Sequence, residues 1–131
     1  MSKVPPAVEA WIHKAENDFK NIRASLASAD PAWDTVCFHA QQAAEKYLKA
    51  YLVFQGDIPP RTHDLGLLLR LARDFDATLE ALNADCDFLT DYAVEARYPD
   101  VVEPDETAAR GSHAAAERIR DAIRQRLPAR T

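Results

Sequence analysis

Apolar residues recur along most of the chain at intervals of three and four, the spacing of one face of an α-helix. The first such segment begins after Pro5-Pro6 and extends to about Ala29, with a stripe of Val8, Trp11, Ile12, Ala15, Phe19, Ile22 and Leu26. In the second, from about Pro31 to Gln55, the inward positions are Val36, Ala40, Ala43, Ala44, Tyr47, Leu48, Tyr51 and Leu52. The sequence lacks the strict apolar–polar alternation of a half-buried strand, so the pattern predicts helices only.

Three further helices are expected, over about Leu65–Phe75, Ala77–Ala96 and Pro104–Leu127. The loop GDIPPRTHD separates the second from the third, because two prolines and a glycine do not continue a helix. Thr62 or Asp64 is the expected N-cap of the third helix. Tyr98-Pro99 ends the fourth, since a residue before proline is pushed out of the helical region.

Long amphipathic helices with short loops predict an all-α fold, an up-and-down four-helix bundle with one additional short helix. With 131 residues the chain is long enough for one domain, predicted over residues 7–127. The residues expected in its core share the inward helical phase: Phe19, Ile22, Val36, Tyr47, Leu48, Leu68, Leu71, Leu82, Leu89 and Ile119.

Composition restricts the function classes. No apolar run approaches the roughly 20 residues that span a bilayer, and the N-terminus lacks a signal-peptide core, so a cytoplasmic protein without a membrane partner is expected. Cys37 and Cys86 lie in apolar helical patterns and are expected to be buried free thiols. No Cys/His spacing matches a metal site and no Gly-rich phosphate loop occurs, so neither metal nor cofactor is expected.

The charge is unevenly distributed. A net charge of −5 argues against general DNA binding, yet residues 110–131 contain six Arg against Glu117 and Asp121, a net +4 that leaves −9 elsewhere. A basic last helix could meet phosphates or an acidic partner, but a solvated helix face is the favoured explanation.

The second helix carries unusually many specific polar residues. His39, Gln42, Lys46 and Lys49 share one face at steps of three and four, and Gln41 and Glu45 form a pair beside it. Thr62-His63-Asp64 opens the third helix and Arg97-Tyr98 closes the fourth. Taken singly, each has a structural explanation: solvation, an N-cap, or an arginine at a helix C-terminus.

In combination these strings are more specific. The order FHAQQAAEKYLKA, then PRTHDL, then ARYP resembles the HEPN family, the higher eukaryotes and prokaryotes nucleotide-binding domains. The resemblance extends from the region of Ala15 and Asp18 to the last helix. The matching positions are Gln41, Gln42, Glu45, Lys46, Lys49, His63, Asp64, Arg97 and Tyr98.

The resemblance implies a helical bundle similar to the substrate-binding domain of kanamycin nucleotidyltransferase. Such domains often stand beside a small, separately encoded nucleotidyltransferase, in two-component or toxin–antitoxin pairs. The implied nucleotide- or partner-binding residues are His39, Gln42, Lys46, Lys49, His63, Asp64, Arg97 and Tyr98. If Lys46, Lys49, His63 and Arg97 converge, they form a positive pocket for a phosphate. Tyr98 could then stack on the base of the nucleotide.

Other HEPN branches are metal-independent ribonucleases with an Arg followed by a His after four to six residues. That spacing is absent here, since one residue separates Arg61 from His63 and two separate Arg110 from His113. A nucleotidyltransferase active-site pattern is missing as well, so no catalysis is expected from this chain alone. Three hypotheses remain: a nucleotide- or substrate-binding subunit, a dimerisation or partner-binding module, and a noncanonical ribonuclease using His63 and Arg97.

A homodimer is also predicted. Aromatic residues such as Trp33, Tyr51 and Phe54 would have limited cover in a bundle this short, and a two-fold contact between copies commonly covers such residues.

Overall fold

The computed structural model describes residues 4–95, 99 and 102–129. Over these residues the chain is helical and contains no strand, which confirms the predicted all-α class. The α-helices are α1 (Pro6–Leu26), α2 (Trp33–Phe54), α3 (Leu65–Arg73), α4 (Asn83–Glu95) and α5 (Glu106–Arg124). No helix in this part of the chain is both long and apolar enough to cross a bilayer.

Helix α2 is the centre of the bundle. It packs against α1 and α5 along its length and also contacts α3 and α4. All eight of its predicted inward positions are buried, because they share one helical phase. The predicted core is likewise buried, except for Leu71, which is partly buried against it.

The helix ends differ from prediction where side chains compete with the helix. Helix α1 ends at Leu26 rather than Ala29; beyond it the Ser28 hydroxyl accepts from the backbone N–H of Asp30 at 3.2 Å. Helix α5 begins at Glu106 rather than Pro104, because Asp105 is its N-cap and accepts from the N–H of Ala108 at 2.9 Å.

The predicted fourth helix is not continuous. Residues Ala77–Leu82 form a 3₁₀ helix, and the α-helical part starts only at Asn83. A 3₁₀ turn aligns positions i and i+3, which brings both Leu79 and Leu82 to the core. Asp76 caps this segment and also accepts from Arg126 Nε at 2.6 Å, which fastens it to the end of the bundle.

This cap makes a pH dependence testable. Hydrogen bonds from Thr78 and Arg126 lower the pKa of Asp76 to about 2. A carboxyl whose pKa is depressed on folding stabilises the protein above its unfolded pKa of about 4, and that contribution disappears as the pH falls toward 2. We expect Asp76→Asn to lower the melting temperature at pH 6 and to match the wild type near pH 2. Asp74→Asn, an exposed neighbour, is the control and should behave as wild type throughout.

Burial within one chain corrects part of one expectation and confirms another. Tyr51 is buried within one chain, so it does not need a second copy to cover it; Trp33 and Phe54 are only partly buried against the core, and the homodimer stays a prediction. Cys37 and Cys86 are buried free thiols, as predicted. Burial raises the pKa of both, that of Cys86 to about 12, so both thiols are disfavoured as nucleophiles at neutral pH.

Candidate functional site

The polar residues of α2 are held by packing rather than solvated. At about 100° per residue, His39, Gln42, Lys46 and Lys49 lie away from the core positions, whereas Gln41 and Glu45 border them. Gln41, Glu45 and Lys49 are buried, whereas His39, Gln42 and Lys46 are partly buried. Charged groups in such positions need partners, and two carboxylates supply them.

The first carboxylate belongs to Asp18 of α1 and is buried. Its Oδ1 lies 2.8 Å from His39 Nδ1, and its Oδ2 accepts from Lys46 Nζ at 2.6 Å. An ionised carboxylate only accepts hydrogen bonds, so His39 Nδ1 carries the hydrogen. We call Asp18, His39 and Lys46 the Asp18 cluster; it joins the middle of α1 to the middle of α2.

The second carboxylate belongs to Glu45. Its Oε2 accepts from Lys49 Nζ at 3.0 Å, and its Oε1 accepts from His63 Nδ1 at 2.8 Å. Gln41 Nε2 donates to the backbone carbonyl of His63 at 3.0 Å, and Gln42 Nε2 donates to Gln41 Oε1 at 2.9 Å. These five residues form the Glu45 cluster, which ties the loop before α3 to α2.

Asp64 has the capping role foreseen for it. Its side chain accepts from the backbone N–H of Leu67 at 3.1 Å, while Thr62 Oγ1 accepts from the N–H of Asp64 at 3.1 Å. Asp64 thereby fixes the start of α3 immediately after His63. This bond explains Asp64 without any ligand.

The structure thus divides the predicted site residues between two carboxylates. Lys46 is paired with Asp18, and Lys49 and His63 are paired with Glu45. Arg97 and Tyr98 lie outside the described residues, so the four-residue positive pocket stays a prediction. With neutral imidazoles each cluster has no net charge, because one carboxylate balances one lysine.

The role of Asp18 was missed from the sequence, although a signal was present. Asp18 lies three residues after Ala15 and four before Ile22, within the apolar stripe of α1. A carboxylate in that phase faces another helix and needs a cation there. The sequence alone does not say which cation, since Asp18 and Lys46 are 28 positions apart along the chain.

An open groove of about 400 Å³ adjoins the Glu45 cluster. It is lined by Trp11, Lys49, Ile58, Pro59, Pro60 and Arg61. Lys49 Nζ lies 5.4 Å from the centroid of the Trp11 ring, a cation–π distance. Trp11 and Arg61 were not predicted as site residues, because Trp11 fits the apolar stripe of α1 and Arg61 stands alone in a loop.

The arginines described between residues 110 and 126 do not form a free basic surface. Each one described is paired with a carboxylate: Arg110 with Glu106, Arg118 with Asp85, Arg120 with Glu117 and Asp121, Arg124 with Glu16, and Arg126 with Asp76. Arg124 Nε also donates at 3.0 Å to the buried Tyr47 hydroxyl, which itself donates to Glu16. Burial and this bond to Glu16 raise the pKa of Tyr47. The pairs of Arg118, Arg124 and Arg126 join this segment to other elements, whereas those of Arg110 and Arg120 lie within α5. These pairings favour the structural interpretation of the basic segment.

Among the described residues, no group of three His, Cys, Asp or Glu side chains is placed to hold a metal ion. The two clusters each contribute one carboxylate and one imidazole alongside a lysine, and an ammonium group cannot coordinate a cation. Their chemistry is therefore suited to anions or to hydrogen bonding.

Comparison with known proteins agrees with this geometry. The model of the HEPN domain family matches residues 8–126. An archaeal HEPN homologue, ST0689, is 27% identical with a TM-score of 0.71, and the match covers 98% of this chain and all of that one. The protein TT1696 from Thermus thermophilus is 26% identical with a TM-score of 0.77, covering 92% of this chain and 98% of that one. No curated protein matches the chain significantly. The family match spans both clusters and nearly the whole bundle, so the chain belongs to the HEPN domain family.

Proposed function

We propose that this HEPN domain is a nucleotide- or substrate-binding subunit that acts with a separately encoded small nucleotidyltransferase. The observation that carries the proposal is the Glu45 cluster, in which a buried carboxylate holds the exposed His63 and also Lys49, which lines an open groove. A cationic side chain that is already held in place beside a groove loses little conformational entropy when it binds an anionic group.

The energetic cost of the two clusters supports a role beyond folding. Buried ion pairs generally stabilise a fold no more than apolar residues of similar volume, because both charges must be desolvated. A bundle without a ligand would be served equally well by apolar residues at these positions. The hydrogen bonds of both clusters also leave donors unused, since an ammonium has three N–H groups and each lysine has one hydrogen bond within the described part of the chain.

His63 is the most accessible member of the Glu45 cluster. Its side chain is 70% exposed, and its Nδ1 is engaged by Glu45. The other ring nitrogen, Nε2, has no partner among the described residues and can meet a phosphate oxygen when protonated. We propose binding for this histidine rather than catalysis, because no arginine lies at the ribonuclease spacing from it.

Calorimetry with a nucleotide panel tests this proposal, on the purified chain alone and with any co-encoded nucleotidyltransferase. We expect saturable nucleotide binding in at least one of the two conditions, weakened by salt because exposed charges are screened. His63→Ala should weaken binding by about 1 kcal/mol, the typical worth of one hydrogen bond. His13→Ala, an exposed histidine of α1, is the matched control and should leave affinity unchanged. Absence of nucleotide binding in both conditions would contradict the proposal.

A dimerisation or partner-binding module is the second candidate, and one observation favours it. Phe38 is exposed on α2 next to the partly buried His39, with the two rings edge to face at 5.4 Å. An aromatic ring beside a polar face suits a protein contact better than bulk water. We propose that a homodimer or the nucleotidyltransferase covers it. Sedimentation of a single monomeric species at tens of micromolar, unchanged by adding the nucleotidyltransferase, would exclude this candidate.

A further inference from the structure

The groove beside the Glu45 cluster has walls of two chemical kinds. One is aromatic, the ring of Trp11 on α1, and the other is cationic, Lys49 of α2 and Arg61 of the loop before α3. A second, shallower concavity also borders Trp11 and adds Ala10 and Lys14. Trp11 is partly buried, so the indole is anchored in the bundle while part of it faces the groove.

The cationic side chains of the groove have hydrogen-bond donors available for a ligand. Lys49 donates to Glu45, which leaves two of its three ammonium N–H groups without a hydrogen bond to the described residues. Arg61 is exposed and makes no ion pair or hydrogen bond within the same part of the chain. A guanidinium offers a planar, two-pronged donor that matches a phosphate, and a buried ammonium supplies a fixed point charge.

The loop wall of the groove is preformed. Pro59 and Pro60 have restricted backbone angles. On one side the N–H of Asp57 donates to the carbonyl of Leu52 at 3.0 Å, and on the other the N–H of Thr62 donates to the carbonyl of Pro60 at 2.9 Å. Because the wall is ordered before binding, little conformational entropy remains to be lost when a ligand enters.

From this arrangement we infer that the groove between Trp11 and residues 58–61 binds the base and phosphate of a nucleotide. Lys49 Nζ lies over one part of the Trp11 ring, 5.4 Å from its centroid, so the base packs on the part of the indole that Lys49 does not cover. Arg61 and Lys49 hold the phosphate. Stacking on an indole accepts any base, so the site selects for a planar ring joined to a phosphate rather than for one particular base. This inference rests on the proposed nucleotide-binding function and names the site at which it occurs.

Fluorescence can locate the base, because Trp11 and Trp33 are the two tryptophans of the chain. In a Trp33→Phe variant, Trp11 is the only indole. We expect a nucleoside monophosphate to quench its emission with the dissociation constant found by calorimetry. The corresponding nucleoside and ribose 5-phosphate should each bind at least about tenfold more weakly, since each retains one of the two interactions.

Substitutions test the location of the site independently of the proposed nucleotide-binding function. Arg61→Ala should raise the dissociation constant of the nucleoside monophosphate by about tenfold or more, because a charge-assisted hydrogen bond is lost. Arg70→Ala, an exposed arginine of α3, is the matched control and should change it less than about twofold. Trp11→Leu should weaken binding by about tenfold, with circular dichroism to verify folding.

The outcomes are distinguishable. If nucleotides bind but neither the emission of Trp11 nor the Arg61→Ala affinity changes, the groove is not the site, although the proposed function stands. If no nucleotide binds with or without the nucleotidyltransferase, both are overturned. If ribose 5-phosphate binds as tightly as the nucleotide, the aromatic half of the inference is wrong.

Discussion

Leu48→Ala is expected to lower the free energy of unfolding by about 2–5 kcal/mol. Leu48 is 0% exposed on the central helix α2, which packs against α1, α3, α4 and α5. Removing its isobutyl group takes away buried apolar surface and leaves a cavity that the surrounding helices can only partly close. Chemical denaturation followed by circular dichroism measures the change, and the slope with denaturant should remain as in the wild type.

A matched control is Ile58→Ala, because Ile58 is an apolar side chain that is 88% exposed. Its truncation should change the free energy of unfolding by less than about 0.5 kcal/mol. A loss below about 0.5 kcal/mol for Leu48→Ala would mean that α2 presents a different face to the core.

Glu45→Gln is expected to destabilise the fold by about 3 kcal/mol, mainly because it leaves an uncompensated buried charge. The side chains of Glu45 and Lys49 are only 4% and 8% exposed. Glutamine keeps the shape of glutamate but not its charge, so the Lys49 ammonium would remain desolvated without a counter-ion. Thermal and denaturant unfolding at neutral pH measure the effect.

Two comparisons isolate the buried charge as the cause. Adding Lys49→Met to Glu45→Gln should restore much of the lost stability, because the unpaired charge is removed with the lysine. Glu106→Gln breaks a pair of the same i, i+4 spacing with Arg110, where the side chains are 57% and 54% exposed. That change should cost less than about 1 kcal/mol, as is usual for a surface ion pair. Equal effects at Glu45 and Glu106 would contradict the buried-charge explanation.

The identity and phase of the helices could be predicted because they depend on local spacing. The inward positions of α2 follow from the spacing of apolar residues three and four apart. The two prolines of the loop after α2 prevent that loop from forming a helix. The buried cysteines follow from the same phase. The 3₁₀ segment at Ala77–Leu82 could not be distinguished, since Leu79 and Leu82 suit either kind of helix.

The candidate site was only partly predictable. The polar face of α2 is visible as a departure from the simple mixture of Glu and Lys that solubility requires. The i, i+4 spacing puts Glu45 within reach of Lys49, as observed. The interpretation of Lys46 and His63 as phosphate ligands did not foresee that Asp18 pairs with Lys46 and Glu45 with His63. The reason is that these two pairs join different elements, and sequence spacing does not give the distance between them.

By itself the sequence determined an all-helical bundle, its buried faces and the cap at Asp64, because these depend on interactions within a few residues. Only the tertiary structure decided that Asp18 pairs with Lys46, that Glu45 also binds His63, and that Trp11 and Arg61 face one groove. These contacts connect separate helices and a loop. They form only after burial of the apolar stripes has packed the helices against each other. The same packing removes water from the charged and polar groups, so each of them then needs its partner.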